Sequence, residues 1–465
     1  MKPASPPSFA PENGAVIRLS ELMSAFSYAL DITEGQPEGH CMRSSWVGLH
    51  VGITAGLPPA QIVELYYTIL LKDLGCSSNA ARICELYMID DRQFKHDYMR
   101  MDGSMPEALS FVMSHAGVQA PLAARMRSIF SVITGGEQLA CELVSTRCQR
   151  GADIARLLRF PESVAAGIYG LDEHFDGKGR PNQVRGDAIP IYSRIALLAQ
   201  VVDVFHTSGG RAAALAEIRR RKGKWFDPRL ADAFEQVAKS DAFWHGLSGP
   251  GVEAAVLGMV QAEREIPIDD DYLDDIAAAF GQVVDAKSPY TSGHSARVAQ
   301  YTDLIAADLG LPLQQRRWLK RGALLHDLGK LGVSNRILDK PAALDRDEWA
   351  AVKEHAAYGE KILSRVGAFA GLAHMTGAHH ERLDGGGYPR GLSAADISLD
   401  TRIITTADIF DAITAERPYR GAIPIPQALD MMEKTVGTAL DPACFAALKK
   451  AMGAPALARE LFAPA

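Results

Sequence analysis

The stretch LLHDLGK, residues 324–330, has a near copy at residues 70–76, where the chain reads LLKDLGC. The copy at residues 70–76 has Lys72 and Cys76 in place of His326 and Lys330. His and Lys are side chains suited to chemistry at a metal or a phosphate. His40 and His294 precede the two copies at the same distance, 32 residues before Lys72 and His326. Residues 151–181 and 193–205 also recur, both at an offset of 208, as residues 359–389 and 401–413. Matched spacing over several segments predicts a duplicated domain.

The composition is that of a soluble globular protein with more than one domain. The chain has 465 residues, of which 47% are apolar and 23% charged. A net charge of −7 disfavours binding to a nucleic-acid polymer, and no apolar run is long enough to span a membrane. The six cysteines include no CxxC pair, which favours reduced thiols and a cytoplasmic location.

Apolar residues recur at spacings of three and four along most of the chain, and strand patterns are scarce. Val298, Tyr301, Ile305 and Leu309 form one such stripe, which ends at Gly310. We therefore expect an all-α protein. The predicted segments are a disordered tail (1–15), a first helical domain (16–245), a linker (246–270) and a second helical domain (271–465).

Histidines and aspartates in the second domain lie on predicted helices, several of them on the apolar stripe. A single such His is usually a hydrogen-bonded core residue, but many together would be costly to bury without a cation. Nitrogen and carboxylate ligands without thiolates suit Fe, Mn or Zn better than Ca or Mg. The candidate metal ligands are His294, His326, Asp327, His355, His379, His380 and Asp408.

Asp327 follows His326 directly, and a carboxylate in this position can bridge two metal ions. Two divalent ions could activate a bridging hydroxide for attack on a phosphodiester. Lys330 lies one helical turn further on, and Arg417 and Arg420 follow the Asp408 helix, so all three are candidates for phosphate contacts. The alternative for the two arginines is a solvated helix end.

The second domain resembles the HD-GYP family of the HD phosphohydrolase superfamily. The resemblance rests on TSGHSARVAQY, LLHDLGKLGV, VKEHAAYGEKIL, HHERLDGGGYPRGL and RIITTADIFDAITAERPYR, and it covers about residues 271–455. It implies an HD-like helical core with bound iron or manganese and hydrolysis of cyclic di-GMP to pGpG and, in some members, GMP. It also implies that the seven candidates are the metal ligands, that Asp327 and Lys330 are catalytic, and that Lys330, Tyr388, Arg417 and Arg420 contact substrate.

Two expectations remain open within this resemblance. Members with a third metal carry a Glu four residues before the first ligand His, where this chain has Tyr290, so we expect two metal ions. The alternatives to cyclic di-GMP are another cyclic dinucleotide, such as cyclic GMP-AMP, or a scaffold that senses nucleotide without turnover.

The first domain reads as a degenerate HD-like copy, which makes two tandem HD-like domains. Only two of the seven ligand positions keep a ligand residue, His40 and Asp73 in matching places. The other positions and the Lys330 position carry Lys72, Cys76, Arg147, Leu171, Asp172 and Gln200. We expect Lys72 and Arg147 to pair with Asp73 and Asp172 in place of metal. The domain's predicted role is structural, as a packing partner of the second domain, with homodimerisation, a signalling partner or the sensing of a ligand as further options.

Overall fold

The computed structural model describes residues 18–101, 105–118, 120–260, 268–418 and 420–453. In these ranges the chain is helical and contains no β-strand, so the all-α prediction is confirmed. The helices form two compact units, with the boundary in sequence between Ile268 and Asp269. No helix within the described ranges combines the length and the apolar character needed to cross a membrane.

Within the described residues, the N-terminal unit is a series of packed helices joined by short connections. Its helices are α1 (Leu19–Thr33), α2 (His40–Thr54), α3 (Pro59–Leu70), α4 (Ala80–Tyr87), α5 (Asp91–Tyr98), α6 (Met105–His115), α7 (Leu122–Leu157), α8 (Glu162–Tyr169), α9 (Ile191–Arg221), α10 (Pro228–Val237), α11 (Asp241–Ser248) and α12 (Val252–Val260).

The C-terminal unit repeats part of this order. Its helices are α13 (Asp270–Asp285), α14 (His294–Asp308), α15 (Leu313–Leu325), α16 (Asn335–Leu338), α17 (Arg346–Leu363), α18 (Ala370–Ala378), α19 (Leu399–Thr414), α20 (Ile425–Glu433) and α21 (Pro442–Met452). Phe280, Tyr301 and Phe410 are buried in its core, and the Tyr301 and Phe410 rings lie 5.0 Å apart, edge to face. The ring pair thereby joins α14 and α19 in the core.

The predicted duplication is visible in how the helices pack. Helix α2 packs against α3 and α9, and α14 packs against α15 and α19. Both α2 and α14 begin at a His that follows a left-handed glycine, with φ of 85° at Gly39 and 67° at Gly293. Glycine adopts this conformation without the steric cost that a side chain would add. The two matching histidines therefore enter their units in the same local geometry.

A second pair of matching glycines, Gly75 and Gly329, explains why the Leu-Gly turn recurs in the two units. A Cβ at Gly329 would lie 1.9 Å from the carbonyl oxygen of His355, and a Cβ at Gly75 would lie 1.9 Å from that of Arg147. Because glycine has no side chain, the turn can approach α17 in one unit and α7 in the other. This contact places the turn beside the helix that carries His355.

The domain limits predicted from sequence differ from the compact units in one respect. The predicted linker, residues 246–270, contains α12, which packs against α2 and belongs to the N-terminal unit. Gly249, Pro250 and Gly251 form a short turn between α11 and α12, and the bounds of the linker stay a prediction. The predicted tail, residues 1–15, lies outside the described residues. Homodimerisation through this unit stays a prediction.

Candidate metal centre

The structure brings the seven candidate ligands of the C-terminal unit to one place. His294 begins α14, His326 and Asp327 follow α15, and Asp408 lies within α19. His355 lies on α17, and His379 and His380 directly follow α18. Six of the seven side chains are buried, and His380 is partly exposed. Residues from five helices therefore converge on one buried polar cluster.

Asp327 lies between two sets of imidazoles. Its Oδ2 is 3.3 Å from His294 Nε2 and 3.4 Å from His326 Nε2. Its Oδ1 is 3.6 Å from His355 Nε2 and 3.9 Å from His379 Nε2. Each carboxylate oxygen thus faces a different pair of ring nitrogens, which is what a carboxylate that bridges two cations requires.

The remaining two candidates complete these sets. Asp408 Oδ1 lies 3.4 Å from His294 Nε2 and 3.7 Å from His326 Nε2. The His380 ring lies 4.0 Å from that of His379 and 4.9 Å from that of His355, centroid to centroid. We call His294, His326 and Asp408 the first ligand group, and His355, His379 and His380 the second ligand group.

Hydrogen bonds at Nδ1 fix the orientation of the histidine rings. In His326, His355 and His379, Nδ1 hydrogen-bonds to the carbonyl oxygen three residues earlier, at 2.5–2.7 Å. A carbonyl only accepts, so Nδ1 carries the proton in each ring and donates it. The Nε2 lone pair is then directed into the cluster, as a metal ligand requires.

His294 is oriented by a carboxylate that the sequence analysis did not select. Asp411 Oδ2 lies 2.7 Å from His294 Nδ1. Arg297 holds Asp411 in turn, through Nε at 2.6 Å and Nη2 at 3.0 Å. Asp411 is buried one turn beyond Asp408 on α19 and supports a ligand without reaching the centre itself.

A sequence signal for Asp411 existed in the degenerate copy. His40 Nδ1 lies 2.7 Å from Asp203, and Arg43 Nε donates to the same carboxylate at 2.6 Å. His40, Arg43 and Asp203 stand at the positions of His294, Arg297 and Asp411 in the two repeats. The trio persists where most metal ligands have been lost, which marks it as a shared structural element.

Atoms in the cluster lack hydrogen-bond partners in a way that fits a bound cation. Across the part of the chain that the structure describes, His294 Nε2, His326 Nε2 and Asp327 Oδ1 are buried with no group at hydrogen-bonding geometry. Leaving such atoms without partners is costly, and divalent ions held by the two ligand groups would take these atoms as ligands.

The pKa shifts of Asp327 and of the second ligand group also suit metal binding. Burial would raise the pKa of Asp327, but His326 and Lys330 hold it well below its usual value. Burial lowers the pKa of His355 to about 4, and burial with neighbouring His355 lowers that of His380 to about 3. Near neutral pH these rings are uncharged, the form that binds metal.

His294 shows the opposite pKa shift. Burial would lower the pKa of His294, but the carboxylates of Asp327, Asp408 and Asp411 raise it well above its usual value. The carboxylates thus attract a positive charge into the first ligand group, either a proton on the ring or a metal ion. Nitrogen-rich ligands with two carboxylates fit a pair of divalent transition metal ions.

The side chains predicted to contact substrate differ in what surrounds them. Lys330 Nζ lies 2.5 Å from Asp327 Oδ2 with the side chain 18% exposed, at the edge of the cluster. The Tyr388 ring stacks on His380 at 4.7 Å. Arg420 donates to the carbonyl oxygens of Ala412 at 2.6 Å and Ile413 at 2.8 Å, which caps the end of α19.

The two arginines therefore differ in what the structure shows. The Arg420 guanidinium has a structural role in capping, close to the alternative that the sequence left open for it. Arg417 donates through Nε to the Ala412 carbonyl at 3.4 Å, and its backbone is paired with that of Arg420. Phosphate contacts by either residue stay a prediction. Tyr290, at the position that would bind a third metal, is 37% exposed.

The N-terminal unit replaces the cluster with ion pairs, as the sequence analysis predicted. Lys72 Nζ pairs with Asp73, and Arg147 Nη2 pairs with Asp172. Lys72 and Asp73 are both fully buried. The two side-chain cations occupy positions that correspond to His326 and His355. This confirms the expected pairing.

Comparison with known proteins places the chain in a family. The HD domain family matches residues 96–230 and 279–444, together more than half of the chain. A 3'3'-cGAMP-specific phosphodiesterase 3 of Vibrio cholerae is 54% identical over 434 residues, which are 93% of this chain and 94% of that protein. The crystal structure of a cyclic GMP-AMP-specific phosphodiesterase of V. cholerae, 48% identical, covers 94% of this chain and 98% of its own, with a TM-score of 0.65.

More distant relatives match only part of the chain. A cyclic di-GMP phosphodiesterase response regulator of Xanthomonas campestris is 36% identical over 176 residues, which are 36% of this chain and 45% of that protein. The protein belongs to the HD domain family, within its HD-GYP branch. It is a metal-dependent hydrolase of phosphoric diesters.

Proposed function

We propose that this protein hydrolyses a cyclic dinucleotide and prefers 3'3'-cyclic GMP-AMP. The observation that carries the reaction is the position of Asp327, whose two oxygens face separate sets of buried imidazoles. The substrate preference is supported by the relative named for 3'3'-cGAMP, which is similar along nearly the whole chain. The family resemblance of the sequence favours cyclic di-GMP, but the alternative, cyclic GMP-AMP, is the better supported of the two.

The two ligand groups, with Asp327 shared between them, would hold two divalent transition metal ions, with iron and manganese the expected metals. When bound, such ions supply Lewis acidity at the phosphate and lower the pKa of water. Around them, the Nδ1 hydrogen bonds keep each imidazole in one tautomer and orientation. Arg297 and Asp411 do the same for His294, so the ligand atoms need little rearrangement when substrate arrives.

Lys330 and Tyr388 are the side chains best placed to bind substrate. The Lys330 ammonium lies at the edge of the cluster and provides positive charge for a phosphodiester oxygen. The Tyr388 ring extends the second ligand group outward, with the Lys353 ammonium 5.4 Å from its centroid. Attack of water at phosphorus forms one P–O bond and breaks one P–O ester bond. The leaving oxygen stays on its ribose as a hydroxyl after taking a proton, so the ring opens to a linear dinucleotide with a terminal phosphate.

Cyclic di-GMP is the second candidate substrate, because several partial relatives carry that activity in their names. Those matches lie over roughly a third of the chain, whereas the 3'3'-cGAMP relative extends through both units. A scaffold without turnover is disfavoured by the seven converging ligands.

The test is an anaerobic assay of the purified protein, loaded with iron or manganese, against 3'3'-cyclic GMP-AMP, cyclic di-GMP and cyclic di-AMP. We expect the highest kcat/KM for cyclic GMP-AMP and no hydrolysis by the His326→Ala, Asp327→Ala double variant. Equal or faster hydrolysis of cyclic di-GMP would overturn the preference, and no hydrolysis of any of the three would overturn the function. Metal analysis of the same sample should give two ions per chain; three would contradict the Tyr290 argument.

A further inference from the structure

The N-terminal unit contains a large cavity at the place that corresponds to the metal centre. Its volume is about 590 Å³, and its lining includes Cys76, Arg147, Asp172 and Gln200. These residues stand at the positions of Lys330, His355, His380 and Asp408 in the other copy. Small-molecule sites in proteins commonly enclose about 300–1,000 Å³. The degenerate copy has thus lost the metal ligands while keeping a space of ligand size.

Ion pairs inside the protein, rather than metal ions, neutralise the carboxylates in and beside this cavity. Asp172 pairs with Arg147, and Glu34 lies 3.3 Å from the ammonium of Lys95. Asp73 pairs with the buried Lys72. Glu34, Asp73 and Cys76 lie close enough to hold a cation, but the neighbouring ammonium groups would repel one. A metal ion is therefore disfavoured in this cavity.

An insertion forms one wall of the cavity. Seventy residues separate Cys76 from Arg147, whereas 24 separate the corresponding Lys330 and His355. Within it, Tyr87, Phe94 and Tyr98 lie together, with ring centroids 4.4 Å apart for the first two and 5.7 Å apart for the last two. All three line the cavity. Aromatic side chains of this kind provide faces and edges for a planar base.

Basic side chains from two loops, one after α8 and one after α9, line another side of the cavity. Lys178, Arg180 and Lys224 line the cavity, and Lys178 and Lys224 are exposed. The nearby carboxylate of Asp176 accepts the backbone N–H of Lys178 at 3.0 Å. Trp225, on the same side, packs its ring on His174 at 4.2 Å. Cations at an entrance attract phosphate, and this cluster stands out in a chain with a net charge of −7.

Gln200 adds a polar group inside the cavity. Its side chain is 6% exposed, and its Oε1 is buried with no hydrogen-bond partner in the part of the chain that the structure describes. An amide left in this state gains from a ligand that donates a hydrogen bond, such as the exocyclic or ring N–H of a base.

We propose that this cavity is a metal-independent binding site for a purine nucleotide, with the base against the aromatic wall and Gln200 and the phosphate at the basic entrance. Free nucleotides and cyclic dinucleotides share this chemistry. The proposal stands apart from the substrate preference of the C-terminal unit, because none of the residues that carry it belongs to the metal centre.

The experiment is calorimetric titration of the full-length Asp327→Ala variant, which prevents turnover, in the presence of a chelator. The probes are GMP, AMP, 3'3'-cyclic GMP-AMP and inorganic phosphate. We expect saturable binding of at least one nucleotide, weakened at least tenfold by Lys178→Glu with Arg180→Glu and at least fivefold by Gln200→Leu. Lys239→Glu, an exposed charge reversal outside the cavity lining, should leave the affinity unchanged.

Several results would overturn the proposal. They are no saturable binding of any nucleotide, binding of phosphate alone, or equal affinity in the cavity variants and Lys239→Glu. Hydrolysis by the same cavity variants in the wild-type Asp327 background separates the two proposals. Loss of nucleotide binding with unchanged hydrolysis locates the site in the N-terminal unit, and absence of hydrolysis with intact binding counts only against the proposed function.

Discussion

At the scale of single residues, Asp411 determines how His294 meets the metal centre. In the Asp411→Asn variant the amide no longer attracts the Nδ1 proton of His294, and the ring can turn or change tautomer. Loss of such a supporting carboxylate typically weakens metal affinity or activity about 10–100-fold. We expect that loss in metal content and in hydrolysis, with partial recovery of hydrolysis in excess metal.

Asp203→Asn is the matched control, since Asp203 makes the same contacts with His40 and Arg43 in the N-terminal unit. It should lower the stability of that unit while leaving metal content unchanged. Metal analysis after gel filtration, with thermal unfolding of both variants, makes the comparison. Equal metal content in wild type and Asp411→Asn would contradict the role assigned to Asp411.

Lys72 tests the claim that a side chain has replaced a metal ion. Its ammonium is buried with Asp73, and that pairing raises the pKa of Lys72 although burial alone would lower it. Lys72→Met leaves a buried carboxylate unpaired, which typically costs about 3–5 kcal/mol. Denaturant unfolding should show this loss, and the double variant Lys72→Met, Asp73→Leu should recover much of it. A single variant as stable as wild type would contradict the replacement.

At the scale of elements, the glycine turn sets the distance between the His-Asp pair and α17. Gly329→Ala would place a methyl group against the His355 carbonyl, and relief requires α17 to move outward with His355. Overpacking of this kind typically costs about 1–3 kcal/mol. We expect Gly329→Ala to lose hydrolysis as well as stability.

Gly75→Ala produces the same clash against Arg147 in the N-terminal unit. It should destabilise that unit by a similar amount but leave metal content intact. Unfolding curves and metal analysis of the two variants provide the comparison. Wild-type hydrolysis by Gly329→Ala, or an equal loss of metal in both variants, would contradict this role of the glycine turn.

The elements also show why part of the site was predictable from sequence. His and Asp on apolar helix faces are conspicuous because burying them alone is costly, so the ligand candidates could be named before their positions were known. Asp411 was not predicted because nothing in the sequence distinguishes it from other carboxylates on the Asp408 helix. Its role follows from its contact with His294, which only the structure shows. Arg420 shows the opposite difficulty, since Arg near a helix end suits a phosphate contact and capping equally well.

The fold was predictable to a similar degree. Helical periodicity and the repeated segments gave the all-α class and the two related units. The cavity of the N-terminal unit was not foreseen, because it is lined jointly by the inserted segment, with α4 and α5, and by a distant loop that follows α8. Sequence spacing shows that residues were inserted after Cys76, but only tertiary contacts show which space they enclose.

At the scale of the whole molecule, the two units should respond differently to removal of metal. A metal ion that binds the folded form stabilises it, by about 2.7 kcal/mol when its concentration is 100 times its Kd. In the C-terminal unit, chelation leaves the carboxylates of Asp327 and Asp408 buried among imidazoles without that cation. In the N-terminal unit, Lys72 and Arg147 belong to the chain and cannot be extracted.

Hydrogen exchange of the intact chain, with and without chelator, makes this difference measurable. We expect chelation to speed amide exchange in α14, α17 and α19, which carry His294, His355 and Asp408, and to leave α2 and α9 unchanged. The Asp327→Ala variant should show fast exchange in the same C-terminal helices whether or not chelator is present. Faster exchange in both units, or in neither, would contradict the assignment of metal to one unit and ion pairs to the other. Because each unit serves as the reference for its copy, the comparison does not depend on the stability of the chain as a whole.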